Sequence, residues 1–187
     1  KGADVVATVD DDNIPYEGWG TGLMVGTEPQ GRLFKTELPA FDPVGATKYR
    51  HLWHRGFPLQ LLHKRDYSKV TAGAALGRCD VQADFWDGDP DIDALCRMEH
   101  RPDCRFDAAD FPLASTAWSP FNSQNTFLTR EALRHYFMFP GVGRMDDIWG
   151  AYYLQAKGFR VVYAKASVRQ DRNVHDFTKD MVGEFLG

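Results

Sequence analysis

The sequence is poor in several features that would assign a class at once. It holds three cysteines, Cys79, Cys96 and Cys104, an odd number with no CxxC spacing. That argues against a disulfide framework and against a structural zinc site; one Cys96–Cys104 bridge in an oxidising compartment stays open. No run of Lys and Arg forms the electrostatic footprint of a nucleic-acid binder, and the formal net charge is −4. No apolar stretch approaches the roughly 20 residues needed to span a bilayer, so no membrane segment is expected. Repeats, linkers and low-complexity tracts are also absent. The chain begins Lys1-Gly2-Ala3-Asp4 and runs at once into an apolar segment, without an initiator Met or a signal peptide. Such a start predicts a domain cut from a longer chain. The 187 residues are enough for one domain with a core of its own, and the expectation is a single domain over residues 1–187. Aromatic residues make up 13%, somewhat rich. Packing accounts for most such residues, although sugar sites also use aromatic faces.

Val5-Val6-Ala7-Thr8-Val9 is short, apolar and β-branched, the pattern of a strand buried on both faces in a parallel sheet. Further strands are expected over 31–37, 81–86, 113–116, 121–128 and 159–164. One helix should run through Ile92, Leu95 and Met98 behind an Asp87 or Asp89 cap. A second should start at Thr129, and a third should run from Asp146 or Asp147 to Lys157, with Gly158 following its C-terminus. Residues 39–58 read as irregular. Strands alternating with helices give an α/β class with a mixed, mainly parallel sheet flanked by helices.

Three acids, Asp10-Asp11-Asp12, follow the first strand directly, at the end where open α/β sheets bind ligands. Alternation along an extended chain lets Asp10 and Asp12 point the same way. Two carboxylates so placed repel unless a cation lies between them, and hard oxygen ligands suit Mn2+ or Mg2+. A solvated acidic turn is the plainer alternative. Gly143-Arg144-Met145-Asp146-Asp147-Ile148-Trp149 is the second signal. Acids in a first helical turn favour the helix dipole, but Asp147 could also serve as a general base. Asn122-Ser123-Gln124-Asn125-Thr126 reads either as an exposed strand face or as a row of amides for sugar hydroxyls. In the late polar cluster Arg169, Arg172, Asn173, His175 and Asp176, His175 is a candidate metal ligand and one arginine a candidate diphosphate partner. Trp53-His54-Arg55-Gly56 is less readable. Asp87-Gly88-Asp89-Pro90-Asp91 has some of the flavour of a calcium loop but lacks its pattern, and reads mainly as a turn with a helix cap.

In order, the segments DDDN, WHRGFPL, DGDPDIDA, SPFNSQNT, DIW and RNVHDFTKD resemble the glycosyltransferases typified by the plant STELLO proteins and their nematode relatives. The DDD and GRMDDIW motifs are also similar to those of the reversibly glycosylated polypeptides, the UDP-arabinopyranose mutases of plants. The resemblance runs from Ala3 to about Asp180 and excludes residues 42–52, where the patterns part. It implies a GT-A fold, a metal site of the DXD type, a nucleotide-sugar donor, most simply a UDP-sugar, and a hydroxyl acceptor of unknown kind (glycan, protein or small molecule). Placed by position, Asp10, Asp12 and His175 are the implied metal ligands, and Asp147 matches the acidic motif opening the acceptor-side helix, with the general-base role expected of it. Asp11, Arg55, Asn122, Gln124, Asn125, Arg144, Asp146 and Arg169 are the further candidate donor and acceptor contacts. The N-terminal strand–helix–strand unit that binds the base in GT-A enzymes is missing from the pattern. The implied compartment is the Golgi lumen for a membrane-anchored parent, and the cytoplasm otherwise. Two other readings compete. A phosphatase of the haloacid-dehalogenase type would use Asp10 as nucleophile and Asp12 as acid, and a degenerate transferase would serve only as a scaffold.

Overall fold

The computed structural model describes residues 2–187 and shows a mixed α/β fold built on one eight-stranded sheet. The strands are β1 (Val5–Val9), β2 (Asn13–Pro15), β3 (Gln30–Phe34), β4 (Val70–Ala75), β5 (Val81–Gly88), β6 (Leu113–Ser115), β7 (Asn125–Thr129) and β8 (Val161–Gln170). The helices are α1 (Ala94–Glu99), α2 (Arg130–Leu133), α3 (Asp146–Ala156) and α4 (Phe177–Leu186). The strand order is β1-β7-β5-β8-β6-β3-β4, with β2 added to β8. Only β5–β8 and β3–β6 pair in parallel; the other five pairings are antiparallel.

This corrects the expectation of a mainly parallel sheet. β7 lies antiparallel to both β1 and β5, so β1, β5 and β8 still run in one direction although β1 has no parallel neighbour. Nor is β1 buried on both faces. It pairs with β7 alone at the edge of the sheet, and Val9 is 46% exposed. Its apolar, β-branched composition is that of a strand, but burial depends on which strand lies beside it, and that is a long-range matter.

One face of the sheet packs against α1, α3 and the irregular segment 39–58, forming the larger core around Phe34, Phe41, Phe85, Ile92, Leu154 and Tyr163. The other face carries a smaller cluster, with Val25, Phe127 and Val162, covered by the glycine-rich segment 16–29. Local chemistry sets the helix ends. Thr129 accepts from Ala132 N–H at 3.2 Å to cap α2, and Gly158, at φ +93°, follows α3. Asp93, not Asp87 or Asp89, caps α1 by accepting from Leu95 N–H at 2.9 Å. Three elements have no counterpart in the sequence reading: β2, β4 and α4. All three cysteines are free and buried, so no Cys96–Cys104 bridge forms. No helix among the described residues is long and apolar enough to cross a membrane.

Candidate functional site

Because β1, β5 and β8 share a direction, their C-terminal ends meet. A cavity of about 330 Å3 lies there, lined by Asp10 after β1, Asp91 after β5, and Arg172 and His175 after β8. Ser123 and Gln124 enter from the start of β7, Arg144, Asp146 and Asp147 from the start of α3, and Arg55 from the irregular segment. Asp12 completes the acidic side. The turn out of β5 is made by Gly88 at φ +89°, where a Cβ would stand 2.4 Å from the Gln170 carbonyl oxygen. Only glycine lets β5 and β8 end this close together and deliver Asp91 to the cavity floor.

Arg55 organises that floor. Its Nε donates to both oxygens of Asp91 at 3.0 and 2.9 Å, and its terminal nitrogens grip the two oxygens of Asp147 at 2.9 and 3.0 Å. It also donates to the Arg144 carbonyl. Asn122 adds a 2.8 Å bond to Asp91, and Arg172 stands 3.5 Å from the same carboxylate. Burial would raise the Asp91 pKa, but Arg55 and Arg172 outweigh it and hold the carboxyl well below the usual range. Arg172 is nearly buried, its pKa is lowered chiefly by that burial, and its Nε has no hydrogen-bond partner. The Nε itself is enclosed, 3.9 Å from Asp89, but the side chain lines the cavity, where a buried guanidinium is suited to an anionic ligand.

Asp147 reads differently in space than in sequence. Besides the Arg55 pair, its oxygens accept from Ser123 N–H at 3.2 Å and Ile148 N–H at 2.8 Å. A carboxylate so occupied has no free lone pair aimed at a substrate hydroxyl, which argues against its expected role as the base. Its neighbour Asp146 lines the same cavity, and among the described residues its carboxylate accepts only from Asp147 N–H, at 2.8 Å.

The acidic side is less compensated. Asp10 has its pKa raised, first by burial and then by the charges of Asp12, Asp91 and Asp147, against the pull of Arg55. Asp12 receives only long contacts of 3.4 Å from the Gln170 amide. His175 lies about 160 residues away in sequence yet lines the same cavity, and its Nδ1 pairs with Asp180 at 2.9 Å. A carboxylate behind Nδ1 leaves Nε2 as the free lone pair, the usual support for a ligating histidine. Among the described residues no three such groups close on one point. The set suits a divalent ion that takes the rest of its shell from water and a ligand's oxygens.

Several expected site residues are elsewhere. Arg169 is about half exposed, reaches Asp103 at 3.5 Å, and lines a separate hollow with Tyr16, Asp87 and Arg105. Arg172 takes the place expected of it in the cavity. Asn122 and Asn125 are buried brackets and face no ligand. Asn125 accepts from the Trp19 indole N–H at 2.9 Å and donates to Ser167 Oγ at 2.9 Å. Gln124 lines the cavity, while its Oε1 accepts from the Trp86 indole N–H at 2.9 Å. The polar run is thus not an exposed strand face, and of its three amides Gln124 is the one in the cavity lining. Asp11 is exposed and outside the cavity lining. Asp91, read as part of a turn, is the acid of the site that faces two arginines, Arg55 and Arg172. Its only signal in the sequence was the density of acids after a strand.

No family model matches the chain, and no curated protein matches it.

Proposed function

We propose that the chain is the catalytic part of a metal-dependent glycosyltransferase that uses a nucleoside-diphosphate sugar. The observation that carries this reading is the meeting, in one cavity, of loosely compensated acids and a buried arginine drawn from opposite ends of the sequence. Asp10, Asp12 and His175 supply one side and Arg172 the other, while Arg144, in the same lining, is already paired with Asp180 and Glu184 at 3.2 Å. A metal–diphosphate unit is the ligand chemistry that satisfies both sides together.

Asp10, Asp12 and His175 would hold Mn2+ or Mg2+, which when bound offsets the charge on the leaving diphosphate. Arg172 would offer its guanidinium to a phosphate oxygen. Asp146, whose carboxylate is the freer of the helix-opening pair, would orient the acceptor hydroxyl and take its proton. Asp147 would keep Arg55 and the start of α3 in place, acting as a positioning residue. The donor sugar and the acceptor belong to this proposal only as classes.

The test is calorimetric titration of the full chain with Mn2+, with and without UDP, in the wild type and in Asp12→Ala. UDP should tighten Mn2+ binding in the wild type, and Asp12→Ala should lose the gain. Equal Mn2+ affinity in the two proteins sinks the metal assignment. Metal and UDP binding without hydrolysis or transfer of any UDP-sugar would instead favour the scaffold reading. Asp146→Asn should lower the rate of UDP-sugar hydrolysis or transfer by about 10²–10⁴-fold while leaving Mn2+–UDP binding unchanged.

A further inference from the structure

The second face of the sheet holds a cavity of its own, about 420 Å3 in volume, between β5, β8 and the segment 16–24. That size lies within the range of small-molecule sites. The segment is a strap fixed at intervals. Tyr16 N–H donates to the Ser167 carbonyl at 2.9 Å, the Trp19 indole to Asn125 at 2.9 Å, and Met24 N–H to Gln82 Oε1 at 2.7 Å. Between these anchors Gly18, Gly20 and Gly22 all have positive φ, so the strap arches away from the sheet and leaves space beneath. The space is therefore built into the strap by its anchors and its glycines.

Its lining is chemically mixed. Tyr16, Trp19 and Phe111 supply aromatic surface, and Gln82, Asp84 and Lys165 supply an amide, a carboxylate and an ammonium. Asp84 sits in the middle of β5 and is half-buried. Its partners are neutral: the Gln82 amide at 2.7 Å and the Ser167 hydroxyl. No ion pair reaches it among the described residues. Of the buried aspartates elsewhere, Asp87 and Asp93 also lack an ion pair among the described residues but accept from backbone N–H groups, Phe106 at 2.8 Å and Leu95 at 2.9 Å, and the other four are ion-paired. Asp42 has Arg65 at 2.6 Å, Asp80 has Arg78 at 3.0 Å, and Asp91 and Asp147 share Arg55. Asp84 is thus left with acceptor capacity directed at open space.

Charge narrows the ligand class. Asp84 and Glu17 are opposed by Lys165 in the same lining, so neither a strong anion nor a strong cation is matched. A ligand that offers hydroxyl donors to a carboxylate, hydroxyl acceptors to an amide and an ammonium, and an apolar C–H face to aromatic rings matches every wall. We infer that the cavity under the strap binds the ring of a neutral saccharide, through Asp84, Gln82 and Lys165 at its edge and Trp19 or Tyr16 at its face. The site lies on the sheet face opposite the larger core, apart from the acidic cavity, and shares no lining residue with it. It does not depend on the transferase proposal.

The experiment is saturation-transfer NMR of the full chain with the methyl glycosides of glucose, galactose, mannose, xylose and N-acetylglucosamine, without metal or nucleotide. At least one should receive saturation. Asp84→Ala should weaken that binding about tenfold, the loss of one charge-assisted hydrogen bond. Lys165→Ala, at an exposed position that folding does not need, should weaken it in the same direction. Asp12→Ala should leave it unchanged, which separates this site from the acidic cavity. The inference is overturned if no glycoside receives saturation, if Asp84→Ala binds as the wild type does while folded by circular dichroism, or if Asp12→Ala abolishes the signal. It is also overturned if choline or arginine methyl ester binds under the strap and the glycosides do not.

Discussion

The two cavities use the same residue type in opposite ways. At the strand ends Asp91 and Asp147 are locked by Arg55, and Asp91 is steadied further by Arg172 and Asn122. Under the strap Asp84 has an amide and a hydroxyl for company. In the first case the carboxylates are structural members, and the groups left open to a ligand are those around them: Asp10, Asp12 and Asp146. In the second the carboxylate itself is the open group. Compensation, more than burial, separates an aspartate that holds the fold from one that waits for a partner.

The sharpest way to break this comparison is to remove Arg55. Arg55→Leu leaves Asp91 and Asp147 buried without their shared cation, and breaking a buried pair from one side costs about 3–5 kcal/mol. Urea unfolding should show the midpoint falling by that equivalent. An unchanged midpoint would mean that the network is ornamental and that Asp147 is free to act as a base after all.

A smaller effect, with a definite pH signature, is expected at Asp91. Its folded pKa lies well below the unfolded value of about 3.9. The stability it contributes is therefore complete above about pH 5 and drains away as acid approaches the folded pKa. Asp91→Asn should lower stability at neutral pH by roughly 2–3 kcal/mol and flatten the acid limb of the stability–pH curve. Asp84 should behave in the reverse sense, since burial raises its pKa. There the ionised form is the costly one, and the cost is relieved as pH falls through the folded pKa. Asp84→Asn should raise stability at pH 7 by about 0.5–1 kcal/mol, with the gain vanishing in acid. Thermal melts of both variants across pH 3–8 would show the two curves crossing the wild type from opposite sides.

How far this contrast was legible in the sequence varies from residue to residue. Asp10 and Asp12 could be singled out beforehand because they follow a strand, and Asp146 because it opens a helix, whereas His175 joined them only through the family resemblance. The class of the fold was legible from alternating strand and helix patterns, and the start and end of α3 from its acids and Gly158. The direction of pairing was not. Val5–Val9 looks the same beside a parallel or an antiparallel neighbour, and the insertion of β7 between β1 and β5 is written in no local pattern. The amides at 122 and 125 misled for a related reason. Their partners, Asp91 for one and Trp19 and Ser167 for the other, are distant in sequence, so a polar run that serves as internal bracing looks like a polar run that meets solvent. Asp84 gave no signal, since one aspartate in an apolar strand stands out only when the absence of an arginine beside it can be seen.

The smallest expected effect distinguishes two arginines that sequence alone treated as equivalent. Arg169 and Arg172 are three residues apart at the end of β8, and either could have been the diphosphate partner. Along an extended strand the two side chains leave on opposite faces, since an odd spacing inverts direction. β8 ends at Gln170, and the chain then turns to carry Arg172 inward. Arg172 becomes nearly buried, with Asp91 at 3.5 Å, whereas Arg169 remains about half exposed with Asp103 as a distant partner. An exposed pair of that kind contributes about 0–1 kcal/mol. Arg169→Ala should therefore shift the unfolding midpoint by an amount near the error of the measurement and leave Mn2+–UDP affinity as in the wild type. Arg172→Ala should weaken UDP binding by about tenfold or more, because a charge-assisted bond to phosphate is lost from a desolvated site. Parallel titrations of the two variants decide the matter. If Arg169→Ala weakens UDP and Arg172→Ala does not, the anion sits in the hollow beside Tyr16 and Asp103, and the cavity at the strand ends loses its proposed ligand.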